Sequence, residues 1–331
     1  MDGKRKDIGV VVIGRNEGER LIRCLGSVKR EVDQVVYVDS GSADGSPERA
    51  RSIGVRVLEL DKSIPFTAAR ARNEGLAELI KASPELDKVQ FIDGDCELVE
   101  GWLERAATVL DSRPEVAVVC GRRRERHPER SIYNRAIDVE WNTPIGEAKA
   151  CGGDAMMRVQ AFLEVGGFDP TLIAGEEPEL CLRLRRRGWK VLRIDCDMTW
   201  HDAAIYRFGQ WWKRALRSGY AYAEGAARYG RDPERYCVRE QRRILWWGGV
   251  LPCVAIGAAP FTRGISLASF GAYPLSAYRV YRSLRKRGID HESASAYAIL
   301  ITVGKFAEMA GILLYWRDRL KQRKRKIIEY K

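Results

Sequence analysis

Short apolar runs alternate with amphipathic segments through the first half of the chain. Ile8-Gly9-Val10-Val11-Val12-Ile13 is continuous and β-branched. Gly14-Arg15-Asn16-Glu17 then turns into a segment whose apolar positions, Leu21, Ile22, Leu25 and Val28, keep helical spacing. Val35–Asp39 reads as a second strand, followed by a Gly/Ser-rich loop over 40–46. Pro47 opens the next helix, with Ser46 as its cap and Gly54 past its end. Arg56–Leu60 predicts a strand, Thr67–Lys81 a helix, and Lys88–Ile92 a strand that runs into Asp93-Gly94-Asp95. Wholly apolar strands alternating with helices predict an α/β fold with a mostly parallel central sheet covered on both faces. Ligands of such sheets bind beyond the carboxyl ends of the strands, where Asn16, Asp39 and Asp93 all fall.

Two carboxylates one residue apart at a strand end can hold Mg2+ or Mn2+ together with substrate phosphates, since these cations favour hard oxygen ligands. By itself Asp-Gly-Asp is also a common turn. No Gly-x-Gly-x-x-Gly follows the first strand and no Gly-x-x-x-x-Gly-Lys-Ser/Thr occurs, which excludes the ordinary dinucleotide and P-loop sites.

With these residues in order, the segment from about Ile8 to about His201 resembles the family 2 glycosyltransferases, whose fold is the GT-A type. Val10–Glu17 resembles the family's opening strand and Asn-Glu turn, and Val38–Ser46 its acidic loop. Ala71–Gly75 is similar to the Arg-Asn-x-Gly segment and Asp93-Gly94-Asp95 to the Asp-x-Asp. Cys151–Arg158, Val165–Asp169 and Gly175–Leu184 are similar to the acceptor-side half. The resemblance implies a donor site built from Asn16, Glu17, Asp39, Asp44, Asp93 and Asp154. Asp39 would contact the base, Asp154 the donor sugar, and Asp95 with Asp93 the metal. Arg72 is either a phosphate ligand or an ordinary helix-surface arginine.

An acceptor hydroxyl needs a general base. Glu176, Glu177 and Glu179 stand at the start of a helix, with Pro178 suited to its first position and Gly188 at its close. The family's Glu-Asp-x-Asp-Leu implies that the second acid is the base, which maps to Glu177, longer by one methylene, with Glu176 as fallback. The alternative is that these acids only offset the helix dipole. His201 is one of three histidines and follows a predicted strand at 190–195. Enzymes of this fold type imply it as a third metal ligand beside Asp95 and Asp93; otherwise it is a lone structural histidine.

Composition changes after His201. Basic and aromatic residues interleave from Arg207 to Tyr229, which suits a lipid headgroup layer or a single-stranded nucleic acid. Residues 244–278 then carry a single charge, Arg263, which favours lipid and argues against nucleic acid. Ile244–Thr262 and Gly264–Tyr278 read as a membrane hairpin flanked by arginines on both sides, against the alternative of a buried helix pair. Ala294–Trp316, interrupted by Lys305 and Glu308, reads as interfacial or packed on that hairpin, with a basic tail over 317–331 on anionic lipid. That tail and the basic aromatic stretch account for the net charge of +12. Eight cysteines without a Cys-x-x-Cys pair, and no signal peptide before the first strand, place the chemistry in a reducing compartment at the cytoplasmic face of a membrane.

The expected organisation is a catalytic domain over 1–205, an aromatic and basic linker over 206–243, and a membrane-associated region over 244–331. The expected activity is metal-dependent, inverting transfer of a sugar from a UDP-linked donor to a lipid-linked or glycan acceptor, in assembly of a bacterial surface polysaccharide. Membrane lipids would be the remaining partner. A metal-dependent nucleotidyltransferase is the alternative, and a non-catalytic membrane scaffold the third reading.

Overall fold

A computed structural model describes residues 4–321. The elements run β1 (Ile8–Gly14), α1 (Glu19–Glu31), β2 (Val35–Asp39), α2 (Ser46–Ser52), β3 (Arg56–Glu59), α3 (Ala68–Ala82), β4 (Lys88–Asp93), β5 (Cys96–Leu98), α4 (Trp102–Ser112), β6 (Val116–Glu125), α5 (Ile132–Glu140), β7 (Gly146–Ala148), β8 (Ala155–Arg158), α6 (Val159–Glu164), α7 (Glu176–Arg186) and β9 (Lys190–His201). Five helices follow: α8 (Phe208–Tyr229), α9 (Val238–Leu245), α10 (Leu251–Gly257), α11 (Ala272–Lys286) and α12 (His291–Leu320). The chain divides into two compact units, one of residues 1–126, 141–172 and 176–203, the other of 127–140, 173–175 and 204–331.

The first unit is the α/β domain that the alternation predicts. Its sheet has the order β3-β2-β1-β4-β8-β6-β9-β5, with β7 beside β9. β1, β2, β3 and β4 pair in parallel, as do β6 and β9; β8 runs antiparallel between β4 and β6. Val10, Val11 and Val12 are fully buried, as expected of a strand covered on both faces. In register, Gly14 lies opposite Asp39 and Ile13 opposite Asp93, so the first, second and fourth strands end side by side. β9 is longer than the sequence pattern suggests. It continues past Asp195 to His201 because its far end pairs with β5 and with the end of β6.

α3 approaches this sheet at Gly75. A methyl group there would stand 2.5 Å from Val11 Cγ1 and 2.7 Å from Val38 Cγ2. The helix tolerates glycine's weak propensity at this point because nothing larger fits between it and β1 and β2.

The second unit is helical. α12 packs on α8 where Gly219 meets the Glu308 carbonyl and Gly311 meets the Leu216 carbonyl. Such backbone-to-backbone approach needs glycine, as in helix pairs inside bilayers. The apolar stretch after Arg243 is not one continuous helix: a π-helical turn at Trp246–Val250 joins α9 to α10, and a 3-10 segment at Ile265–Gly271 leads into α11. Among the described residues, α12 alone is long and apolar enough to cross a membrane, by length and composition. Lys305 and Glu308 on it form an ion pair at 2.5 Å. Trp246, Val254, Ile256, Phe261 and Ile265 are exposed around the irregular segment. Of the expected basic tail, residues 322–331, which include Arg323, Lys324, Arg325 and Lys326, lie outside the described residues.

Gly75→Ala is expected to destabilise the protein by about 1–3 kcal/mol, the usual scale of overpacking, although alanine is the better helix former. Thermal unfolding of the full chain in detergent reads this directly. A midpoint at or above that of the wild type would show that the α3–β1 contact is looser than described.

Candidate active site

Each strand end contributes one loop. Asn16, two residues past the end of β1, takes the left-handed conformation, φ 57°. Its backbone amide donates to Ser42 Oγ at 2.9 Å, and its side-chain oxygen accepts from the Ala43 amide at 2.8 Å. Asp44 accepts from the Gly18 amide at 3.0 Å and Glu17 pairs with Arg20 at 2.8 Å. The loops after β1 and β2 are thereby tied into one wall. Asp39, buried at the end of β2, accepts from Tyr37 Oη at 2.7 Å, from the Gly41 and Ser42 amides at 2.9 and 2.7 Å, and from Ser42 Oγ at 2.5 Å. Its first task is to shape its own loop.

Asp93 ends β4, and the Gly94 amide donates to the Ile13 carbonyl at 2.7 Å, which turns the chain toward β5. Arg72 projects from α3 into the same space with 2% of its surface exposed, so it is no helix-surface arginine. It lies 2.9 Å from Asp93, 3.1 Å from Glu176 and 2.9 Å from Glu177. One guanidinium thus joins the β4 end to the start of α7. The Gly152-Gly153 turn packs against this group, and a Cβ on Gly153 would fall 2.8 Å from Arg72 Nη2 and 2.9 Å from Asp93 Oδ2.

A second guanidinium, Arg123 from β6, sits 3.0 Å from Asp93, 3.3 Å from Asp154 and 4.0 Å from Asp95. Register shifts on either side of Arg122 interrupt the β6–β9 ladder at this point, the kind of bulge that re-aims side chains near a site. Asp154 is buried, accepts from Thr199 Oγ1 at 2.7 Å and receives the Asp93 amide at 3.1 Å. Arg123 also lies 4.8 Å from the Trp141 ring centroid, in cation–π range.

His201 faces Asp95 because Cys96 of β5 pairs with it across the sheet. His201 Nε2 is 3.3 Å from Asp95 Oδ2, and Nδ1 is 3.5 Å from Glu125 Oε2. Asp95, His201 and Glu125 are all buried. The donor atoms of Asp95, Cys96 and His201 lie close enough to hold one metal ion, and those of Asp93, Cys96 and Asp154 form a neighbouring group. A hard carboxylate oxygen with a neutral imidazole, itself backed by a second carboxylate, fits a divalent cation. Of the three metal ligands expected from the sequence, Asp95 and His201 fall in one donor group and Asp93 in the other.

The charges interact strongly. Burial alone would raise the Asp93 carboxyl, but the Arg72 and Arg123 guanidiniums outweigh it and hold the group well below the usual carboxylate range. Burial, with the adjacent Glu176 carboxylate, pushes Glu177 up to about 7, against the opposing pull of Arg72. Burial also lowers the His201 imidazole, with Arg123 acting in the same direction.

Asn16, Glu17, Asp39 and Asp44 therefore form one wall, and Arg72, Asp93, Asp95, Asp154, Glu176, Glu177 and His201 a connected charged centre. Arg123, Glu125 and Trp141 were not distinguished in the sequence. The only signal was that 123 and 125 share one face of a strand within the run Gly121–Arg126.

This is a GT-A-type α/β domain, with a mostly parallel sheet whose strand ends carry a convergent acidic centre. Residues 9–163 match the sequence model of glycosyl transferase family 2, and the chain carries a domain of that family. The chain is similar to a TPR repeat-containing protein of Synechococcus elongatus, 32% identical over 138 residues, or 41% of this chain and 32% of that protein. It is also similar to the succinoglycan biosynthesis protein ExoA of Rhizobium meliloti, 30% identical over 171 residues, or 49% of this chain and 52% of that protein. It thus spans between a third and about half the length of these two relatives. Among solved structures, a mannosyltransferase of Pyrobaculum calidifontis, in complex with GDP-Man and Mn2+, superposes with a TM-score of 0.59 at 17% identity, covering 95% of this chain and 88% of that one. That likeness is one of fold.

Proposed function

We infer that the chain is an inverting glycosyltransferase that moves a sugar from a nucleoside-diphosphate donor, UDP-linked, to a lipid-linked or glycan acceptor. The observation that carries this reading is the Arg72 bridge, which sets the acids at the start of α7 beside the donor-side carboxylate Asp93. A donor and an acceptor placed on either side of this bridge would meet at one carbon.

In the reaction the acceptor oxygen attacks the anomeric carbon as the bond from that carbon to the diphosphate oxygen breaks. The configuration inverts because there is one displacement. Glu177 takes the acceptor's proton, and its raised pKa matches a base working near neutrality. Glu176 keeps Arg72 in place. Asp95 and His201 would hold Mg2+ or Mn2+, with Glu125 fixing the imidazole from its far side. When bound, that cation supplies charge stabilisation for the departing diphosphate. Asp154 and Asp93 would grip the donor sugar and ribose, and the Asn16–Asp44 wall the nucleoside. ExoA's name supports a role in surface polysaccharide assembly. The GDP-Man bound in the Pyrobaculum protein makes GDP-linked sugars the first donors to test beside UDP-linked ones.

The exposed apolar residues between Trp246 and Ile265, followed by Arg279, Arg282, Arg285, Lys286 and Arg287, support attachment to a membrane from its cytoplasmic face. The full chain is expected to sediment with membranes and to resist high salt, while detergent releases it. Release by salt alone would show that basic residues, and not the apolar segment, make the attachment.

Asp95→Asn is expected to abolish transfer and weaken binding of the nucleoside diphosphate, since an amide holds a dication poorly. Unchanged turnover in that variant, or wild-type turnover in excess EDTA, would remove the metal from the mechanism.

Glu177→Gln is expected to lower kcat by roughly 100-fold or more, the scale of general-base catalysis, while donor affinity stays near wild type. Wild-type kcat/KM should fall as the pH drops below about 7, where Glu177 takes up a proton, and the variant should lose that limb. Glu176→Gln should be much milder. If the two variants exchange behaviour, Glu176 is the base; if both turn over normally, the start of α7 is structural.

A further inference from the structure

Arg123 occupies the place in the charged centre where a divalent cation has most to gain. Its Nη2 donates to Asp93 Oδ2 at 3.0 Å and to Cys96 Sγ at 3.0 Å, and lies 4.0 Å from Asp95 Oδ1. These three residues are drawn from both of the donor groups that could hold a metal ion. The guanidinium is therefore already the counter-cation that those groups share. It is not held by a full set of good bonds. Nε stands 3.3 Å from Asp154 Oδ2 without the direction of a hydrogen bond, and it has no other partner although it is buried. A buried arginine of this kind costs free energy unless its donors find better acceptors.

The guanidinium also has an anchor that is not a carboxylate. Trp141 supports the guanidinium through its ring face at 4.8 Å, and this contact does not depend on the carboxylates. Arg72 is the contrasting case: it contacts three carboxylates at 2.9–3.1 Å and has 2% of its side chain exposed, against 13% for Arg123. Both guanidiniums leave a buried Nε without a hydrogen bond, so what separates Arg123 is that its Nη2 bonds lie on Asp93 and Cys96, donor groups that a metal ion would take.

We propose that Arg123 is an exchangeable counter-cation: it neutralises Asp93 and Asp95 in the nucleotide-free protein, gives them up when a metal–nucleotide complex arrives, and then bonds the diphosphate oxygens. This deepens the donor-site reading given above and rests on it. The arrangement makes metal binding weak without nucleotide, because Arg123 competes for the same carboxylates. It makes metal binding strong with nucleotide, because the displaced guanidinium then has the diphosphate as a bidentate acceptor. Coupling of this kind is reciprocal, so the metal must tighten the nucleotide by the same factor.

The test is titration of the full-length protein in detergent with Mn2+, following the resonance signal of the free ion, with and without saturating UDP or GDP. Without nucleotide, Arg123→Gln is expected to bind Mn2+ at least tenfold more tightly than the wild type, and the further tightening by nucleotide should shrink by a similar factor. Arg124→Gln, which removes an equal charge from the neighbouring ion pair with Asp197, should match the wild type. An Arg123→Gln protein with a wild-type unfolding midpoint but unchanged or weaker Mn2+ affinity would overturn the proposal, since Arg123 would then be ordering the ligands and not competing for them. Should that variant fail to fold, Arg123→Lys keeps the charge and loses the fork. It is expected to gain at least threefold in Mn2+ affinity, and no gain would likewise overturn the proposal. If neither wild type nor variant binds Mn2+ at all, the metal reading itself falls and the proposal with it. If Mn2+ binds as expected but no nucleotide does, the competition stands and the donor reading fails.

Discussion

The link between the two halves of the candidate site depends on the buried ion cluster of Arg72. A guanidinium this far from water is tolerable only with carboxylates around it, and Asp93, Glu176 and Glu177 supply them. The consequence is geometric. β4 and α7 are far apart in sequence, yet their functional ends are held on opposite sides of one planar group. Removing Arg72 would take the shared guanidinium from Glu176 and Glu177 and leave Asp93 with Arg123 alone, and the site would lose its shape as well as a charge. Glu177 feels this directly. Its neighbour Glu176 and its burial raise its affinity for a proton, while Arg72 limits the rise to a value near neutrality.

The sheet explains why these residues meet. Parallel pairing of β1 with β2 and β4 puts three loop-bearing ends in a row, and the antiparallel strands β5 and β8 bring the second half of the chain back to them. His201 belongs to this second layer. It is the last residue of a strand whose far end is fixed by Cys96 on one side and Glu125 on the other. That is a rigid mounting for an imidazole, and a rigid mounting is what a metal ligand requires.

Much of this was legible in the sequence for a definite reason. Strands covered on both faces write themselves as apolar runs, and the residues that end them, Asn16, Asp39 and Asp93, stand out as the first polar positions after such runs. Arg72 was only half legible: its place on a helix was clear, but not that the helix turns that face toward three acids. Arg123 and Glu125 were illegible, because in Arg122-Arg123-Arg124-Glu125-Arg126 each charge looks like its neighbours. Only the pairing of β6 with β9, and its interruption near Arg122, separates the residues that face the site from those that face water. In the helical unit the apolar composition was plain, and Gly248, Gly249, Pro252, Gly257 and Pro260 suited a bent segment; the π-helical form of the break was not legible. Gly248 and Gly249 sit in the π-helical turn, which interrupts what reads as one long apolar segment.

The central claim is that the ends of β1, β2 and β4 form a metal-dependent nucleoside-diphosphate site. Calorimetric titration of the full-length protein with UDP and with GDP, each in Mn2+ and again in EDTA, tests it most directly. The account predicts saturable binding of one of the two in Mn2+ and its loss in EDTA. Equal binding in both media, or none of either nucleotide up to millimolar concentration, would contradict it.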